Sequence, residues 1–219
     1  FAMIHGDEGH VIAHNGFGAV MGSKKIKAVA VAKGDSKLVI KGQKKLLELC
    51  TQMNEQAKEH PVYGKIHRYG TSMLWPMLAK SGLLPIKNLT TNIFMEPEKF
   101  SREYYGSQYK MTRKPCWVCP LHHCQKIRIE KGPHAGLETD DPEYECSAAW
   151  SSLIGSNDFE SSLVLSDLAD RLGLNSTEAG WTIGLAIESY EKGIITEKDT
   201  DGLKMTWGNV EAVGRMLRK

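Results

Sequence analysis

The spacing of apolar positions divides the chain into a short strand-rich beginning and a long helical remainder. Met3-Ile4 and Val11-Ile12 are β-type pairs separated by the turn signal Gly6-Asp7-Glu8-Gly9. Lys27–Ala32 reads as a buried strand closed by Gly34. After Asp35 the period changes. Leu46, Cys50, Met53 and Ala57 fall on one face of a helix from about Gly42 to His60, which places the Cys50 thiol in a core. A second helix is expected from Thr71 towards Leu83, with Pro76 in its first turn. Residues 84–115, with Pro85, Pro97 and Pro115, read as an extended connection, and connections of that length are usually functional or wrap other structure.

The last third is helical again. Ser156 or Asn157 is expected to cap a helix with Phe159, Leu163, Leu168 and Leu172 inward, ending at Gly173. Ser176 is expected to cap another, with Ile183, Ala186, Ile187 and Tyr190 inward and Gly193 at its end. Residues 210–219 have an amphipathic helical pattern without a closing glycine, and Phe1 opens the chain inside a strand-like run, so a longer polypeptide is expected. The fold class expected is mainly α, multihelical, with a small N-terminal β element. Residues 1–35 would form that β part and residues 36–219 a helical domain.

Composition changes little in this picture. The chain has 219 residues and a net charge of +2, too weak a bias to argue for nucleic acid or an anionic membrane. No apolar run is long enough to span a bilayer. Five cysteines, three within nine residues, argue against a secreted disulfide framework and for a reduced, cytoplasmic setting with a metal site.

Three stretches could carry chemistry. Cys116-Trp-Val-Cys119-Pro-Leu-His-His-Cys124 puts three thiols on one loop, and thiolates select zinc or iron–sulfur clusters. Spacing leaves both open, beside ordinary buried thiols; one of His122 and His123 could add a donor. Gly16-Phe-Gly18-Ala19-Val-Met-Gly22-Ser23-Lys24 matches neither the dinucleotide nor the P-loop spacing, but it would let backbone approach a large ligand. Asp140-Asp141-Pro142-Glu143-Tyr144-Glu145-Cys146 is a solvated acidic loop unless one carboxylate is turned into a site. Asp170-Arg-Leu-Gly173-Leu174-Asn175 closes a helix and needs no ligand to explain it.

Taken together and in order, the glycine run, the Gly70-Thr71 … Gly82-Leu-Leu-Pro85 stretch, the cysteine loop, Glu143-Tyr144-Glu145 and Asp170-x-x-Gly173-Leu174 resemble the aldehyde ferredoxin oxidoreductase family over nearly the whole chain. The resemblance implies an enzyme holding tungsten, or molybdenum, on two pterin dithiolenes beside a 4Fe–4S cluster. A β domain would cradle the pterins, and helical domains would cover them. It implies Cys116, Cys119 and Cys124 as three cluster ligands, the family's fourth lying far downstream, beyond Lys219. Asp170, Gly173, Leu174 and Asn175 would contact a pterin. Gly16, Gly18 and Ala19 would lie near the pterin phosphates, where backbone carbonyls help hold Mg2+. Glu145 would face the substrate with Tyr144 before it. The implied reaction is oxidation of an aldehyde to a carboxylic acid, with electrons passed to ferredoxin or another electron-transfer subunit, in a possible homo-oligomer. Alternatives are a tungsten-dependent reductase of another substrate, such as an aromatic acyl-CoA, and a non-catalytic zinc or iron–sulfur module. The sequence departs from the family pattern in three places. Familiar members have C-x2-C-x3-C, whereas one residue is added here; His14-Asn15 stands where Arg-Gly is common; and Asn175 replaces an Asp.

Overall fold

The structure, a computed structural model, describes residues 1–6, 10–37 and 39–219. Helices dominate. In chain order they are α1 (Phe17–Ser23), α2 (Gln43–Glu59), α3 (Tyr63–Tyr69), α4 (Trp75–Ser81), α5 (Arg102–Tyr105), α6 (Tyr144–Ala149), α7 (Phe159–Arg171), α8 (Ser176–Glu191) and α9 (Val210–Leu217). Strands β1 (Ile4–His5) and β2 (Val11–Ile12) pair antiparallel, Ile4 opposite Ile12. The turn expected at Gly6–Gly9 falls largely outside the described residues. Strands β3 (Lys110–Arg113), β4 (Gln125–Arg128) and β5 (Glu138–Asp140) form an antiparallel sheet in sequence order. This second sheet was not expected. Its strands are only three or four residues long, too short for an alternating pattern to stand out from a connection.

Two cores share helix α7. One gathers Trp150, Ile154, Leu165, Ala169, Ile183, Ile187, Met205 and Val213, from α7, α8, α9, the turn after α6 and the α8–α9 connection. The other is aromatic and includes Trp75, Phe100, Tyr105, Ile127, Phe159 and Leu163. Phe100 stacks on Trp75 with centroids 4.4 Å apart, and Tyr105 stacks on Phe159 at 4.1 Å. Residues 84–115 therefore do not merely connect elements: Leu84, Ile86, Phe100 and Tyr105 are part of this core. Helix α4 carries Pro76 in its first turn, where the missing N–H costs nothing.

Caps and faces differ from expectation in detail. Asp158, rather than Ser156 or Asn157, caps α7 by accepting from Ser161 N. Asn175, rather than Ser176, caps α8, because its Oδ1 takes both Thr177 N and Glu178 N. Leu172 is exposed beyond the last turn of α7. Two larger corrections concern the first sixty residues. Residues 27–32 form no strand, and Val29 and Val31 are exposed. Helix α2 forms where its period places it, yet Leu46, Cys50 and Met53 are exposed, so Cys50 is not a core thiol. Periodicity reports which face is apolar, not what covers it.

Candidate functional site: a cysteine hairpin beside a shared cavity

The three clustered thiols sit on the connection between β3 and β4. Register pairs Arg113 with Gln125, and Lys114 N donates to Cys124 O at 3.0 Å, so the hairpin ladder closes the base of the loop. Its back is fastened to α3 and β3 at successive carbonyls. Tyr63 OH donates to Pro120 O (3.2 Å), His67 Nδ1 to Leu121 O (2.8 Å) and Arg113 to His122 O (2.8 Å). At the tip Trp117 is 94% exposed and Val118 holds φ +61°, a conformation that costs a β-branched residue of order 1–3 kcal/mol.

Cys116 and Cys124 face each other with sulfurs 3.4 Å apart. Burial, then the neighbouring Cys116 thiol, pushes the Cys124 thiol up to about 12. A protonated thiol is what such a site holds without a cation; a coordinating metal removes the proton outright. His123 Nε2 lies 3.7 Å from Cys124 Sγ and 2.9 Å from Glu143 Oε1. Thr71 Oγ1 donates to the other Glu143 oxygen and accepts from Tyr144 N at 2.9 Å. The hydrogen bond to Glu143 raises the His123 pKa. Burial works against the Glu143 carboxylate, but the His123 and Thr71 hydrogen bonds outweigh it and hold its pKa below the ordinary value. The donor atoms of His123, Cys124 and Glu143 all lie within 4.8 Å of one another.

Behind this cluster lies a cavity of about 190 Å³. Cys124 and Glu143 line it on one side; Cys146, Ser166, Asp170 and Ser176 come from α6, α7 and α8. Burial pushes the Cys146 thiol up to about 12 and the Asp170 carboxyl up to about 6. Ser166 Oγ is buried with no hydrogen-bond partner. Asp141, also at the wall, pairs with Arg102 and accepts from Tyr105 OH at 3.0 Å; burial still lifts it to about 6. A more open hollow of about 510 Å³, lined by His5, Asp167 and Asp170 among others, adjoins the same face of α7.

The glycine run and the Asp170–Asn175 turn, far apart in sequence, are joined through the first three residues. Met3 N donates to Gly173 O (3.0 Å) and Asn175 N to Phe1 O (2.8 Å), with Ala2 opposite Leu174. On its other edge the strap accepts from Gly18 N through Ala2 O at 3.1 Å. A Cβ at Gly18 would stand 2.5 Å from Met3 O, so only glycine lets α1 approach. Gly16 caps α1, its carbonyl accepting from Ala19 N and Val20 N. His5 Nε2 donates to Asp170 O at 2.5 Å. Asn175 has its Oδ1 engaged in the α8 cap and its Nδ2 3.2 Å from His14 Nδ1.

Most of the residues named from sequence thus converge on one region. Cys116 and Cys124 meet, Cys119 stands on the same loop with its N–H bonded to Cys116 O (3.2 Å), and Asp170 shares a cavity with Cys124. Tyr144 is half-buried against the aromatic core, whereas Glu145 is exposed in the first turn of α6. In the acidic run it is Glu143 that the structure ties to the cysteine loop. Thr71 was read only as part of the Gly70-Thr71 stretch and given no role in a site, and Ser166 carried no signal, because a lone hydroxyl residue has no spacing to read.

Comparison with known proteins shows what the chain is similar to. Residues 48–219 match the family described as aldehyde ferredoxin oxidoreductase, domains 2 and 3. The chain is 33% identical over 220 residues to the tungsten-containing aldehyde ferredoxin oxidoreductase of Pyrococcus furiosus, covering 100% of this chain and 36% of that protein. It is equally similar, at 33% over 221 residues, to the enzyme of the same name from Thermococcus kodakarensis, with the same coverage. It is 31% identical over 213 residues to the aliphatic sulfonate oxidoreductase, WOR-like subunit, of Pyrococcus furiosus, covering 95% of this chain and 33% of that protein. The chain spans about a third of the length of these relatives. With the match running from α2 to the last residue, the chain belongs to the aldehyde ferredoxin oxidoreductase family.

Proposed function

We propose that this chain is the segment of a tungsten–pterin, iron–sulfur oxidoreductase that carries the cluster loop and one pterin-facing wall, in an enzyme oxidising an aldehyde to a carboxylic acid and passing electrons to ferredoxin. The observation that carries the reading is the shared cavity: Cys124 of the cysteine hairpin and Asp170 of the D-x-x-G-L turn line the same space. Two redox groups that exchange electrons must lie close, and this arrangement supports that.

The residues fit the groups by their chemistry. Three thiols on one loop suit an iron–sulfur cluster. The cavity offers a carboxyl raised to about 6 at Asp170, able to meet pterin N–H groups, and an unpartnered hydroxyl at Ser166. The strap that brings Gly16, Gly18 and Ala19 towards Asp170–Asn175 supports a pterin wall built from both, with Mg2+ at its phosphates. Bound there, the tungsten–pterin group would supply two-electron chemistry and the cluster one-electron transfer. The protein's share is placement and proton handling: Tyr144 would donate to a substrate carbonyl and Glu145 would orient or deprotonate water.

The reading is tested by metal and cofactor analysis of the full-length protein. Asp170→Asn should lower pterin and tungsten together while iron is retained, and Cys116→Ser should lose most of its iron. Unchanged pterin and tungsten in Asp170→Asn would remove the assigned wall.

A further inference from the structure

Helix α6 is six residues long, and Glu143 at its N-cap makes no side-chain hydrogen bond to the first turn. The N–H groups of a first turn have no partner inside their helix and must find one elsewhere. Here the partner comes from the 3₁₀ turn Gly70–Leu74, 73 positions earlier. Thr71 Oγ1 accepts from Tyr144 N at 2.9 Å, while its own hydrogen goes to Glu143, which leaves a lone pair free for that amide. The carbonyl of the same residue is held as well. Ser147 Oγ donates to Tyr144 O at 2.9 Å and accepts from Trp75 Nε1 at 2.8 Å. Trp75 is fully buried and stacked on Phe100, and Ser147 is buried beside it, so this second anchor stands on the aromatic core. Both polar groups of the Tyr144 main chain are thus engaged by side-chain hydroxyls.

We propose, taking Tyr144 and Glu145 as the substrate-facing pair of the proposed function, that Thr71 is a positioning residue for both, working against the fixed Ser147–Trp75 anchor. The role rests on that reading of the pair. Tyr144 and Glu145 are the first two residues of α6, so the Tyr144 main chain sets the direction in which their side chains leave the helix. Glu145 is exposed, so packing does little to orient it and the backbone beneath it does most. A group that handles a proton in a transition state tolerates little displacement: about 1 Å can cost ~10²-fold in rate. Valine has the shape of threonine but can neither accept from Tyr144 N nor donate to Glu143; serine can do both.

The test uses the full-length protein. Thr71→Val should lower kcat and kcat/KM together by ~10-fold or more, with KM for the aldehyde within ~threefold and iron, tungsten and pterin contents unchanged. Thr71→Ser, which keeps the hydroxyl, should stay within ~threefold of the unsubstituted protein. Hydrogen exchange at the Tyr144 amide should accelerate by ~10-fold or more in Thr71→Val and not in Thr71→Ser, a readout that needs no turnover. With Thr71→Val and Glu145→Gln combined, the loss should be smaller than the product of the two, because one acts through the other. Native turnover, unchanged exchange or lost iron or tungsten in Thr71→Val would each overturn the positioning role, as would an equal defect in Thr71→Ser or fully multiplying losses. Near-native turnover in Glu145→Gln would instead remove the underlying assignment of the pair, whatever the exchange at Tyr144 shows.

Discussion

At the scale of single residues, position in the acidic run separates two glutamates that the sequence cannot tell apart. Glu143 has both oxygens engaged, by His123 and Thr71, and so serves the loop. Glu145, two residues on, is exposed in the first turn of α6. On the proposed function, Glu145→Gln in the full-length protein should lower kcat for aldehyde oxidation by ~10²-fold with iron and tungsten contents unchanged, read by steady-state kinetics alongside metal analysis. Near-native turnover would return Glu145 to the solvated surface. Cys116, Cys119 and Cys124 drew attention because metal spacing is a local pattern, and Asp170 because it stands in a motif; the structure sets Cys116 beside Cys124 and Asp170 on a cavity with Cys124. Thr71 was given no role in a site, since what it does depends on a residue 72 positions away. Cys50 misled for a related reason: thiols are commonly buried, and only the surroundings of α2 show that this one is not.

At the scale of elements, the α6–α8 crossing sets how closely the cavity walls approach. A Cβ added at Gly180 would stand 2.7 Å from Ala149 Cβ and 3.1 Å from Ala149 O, with backbone on one side and a buried methyl on the other. Gly180→Ala should destabilise the chain by ~1–3 kcal/mol, or several degrees in Tm, as overpacking does. Ala149→Gly in the same chain should recover part of the loss, measured by thermal unfolding. An unchanged Tm in Gly180→Ala would show that the helices are free to part. Elements with a long period were readable: α2, α7 and α8 begin and end within a few residues of their patterns. The β3–β5 sheet was not, because four-residue strands make no period, and its existence follows from the aromatic core that Ile127 joins.

At the scale of the whole molecule, the cores draw on residues 75–163 and 149–217, while the contacts of the first five residues reach across far more of the chain. His5 and Asp170 are 165 positions apart, and the strap of residues 1–3 reaches across the same span to Gly173 and Asn175. Closing a loop of that length has an entropic cost that no local contact offsets until the α7–α8 turn exists to receive it. The strap should therefore dock late in folding. Pulsed hydrogen exchange during refolding should protect the amides of Met3 and Asn175 together, after those of α7 and α8. Early protection of Met3 would contradict this order. On the ribosome the same span acts as a clock. Residues 1–3 are translated well before the turn they meet, so these hydrogen bonds form only after that turn has been made. A ligand that needs both walls can be received only once that stretch is made, which places insertion of a large group after translation of this segment rather than alongside it.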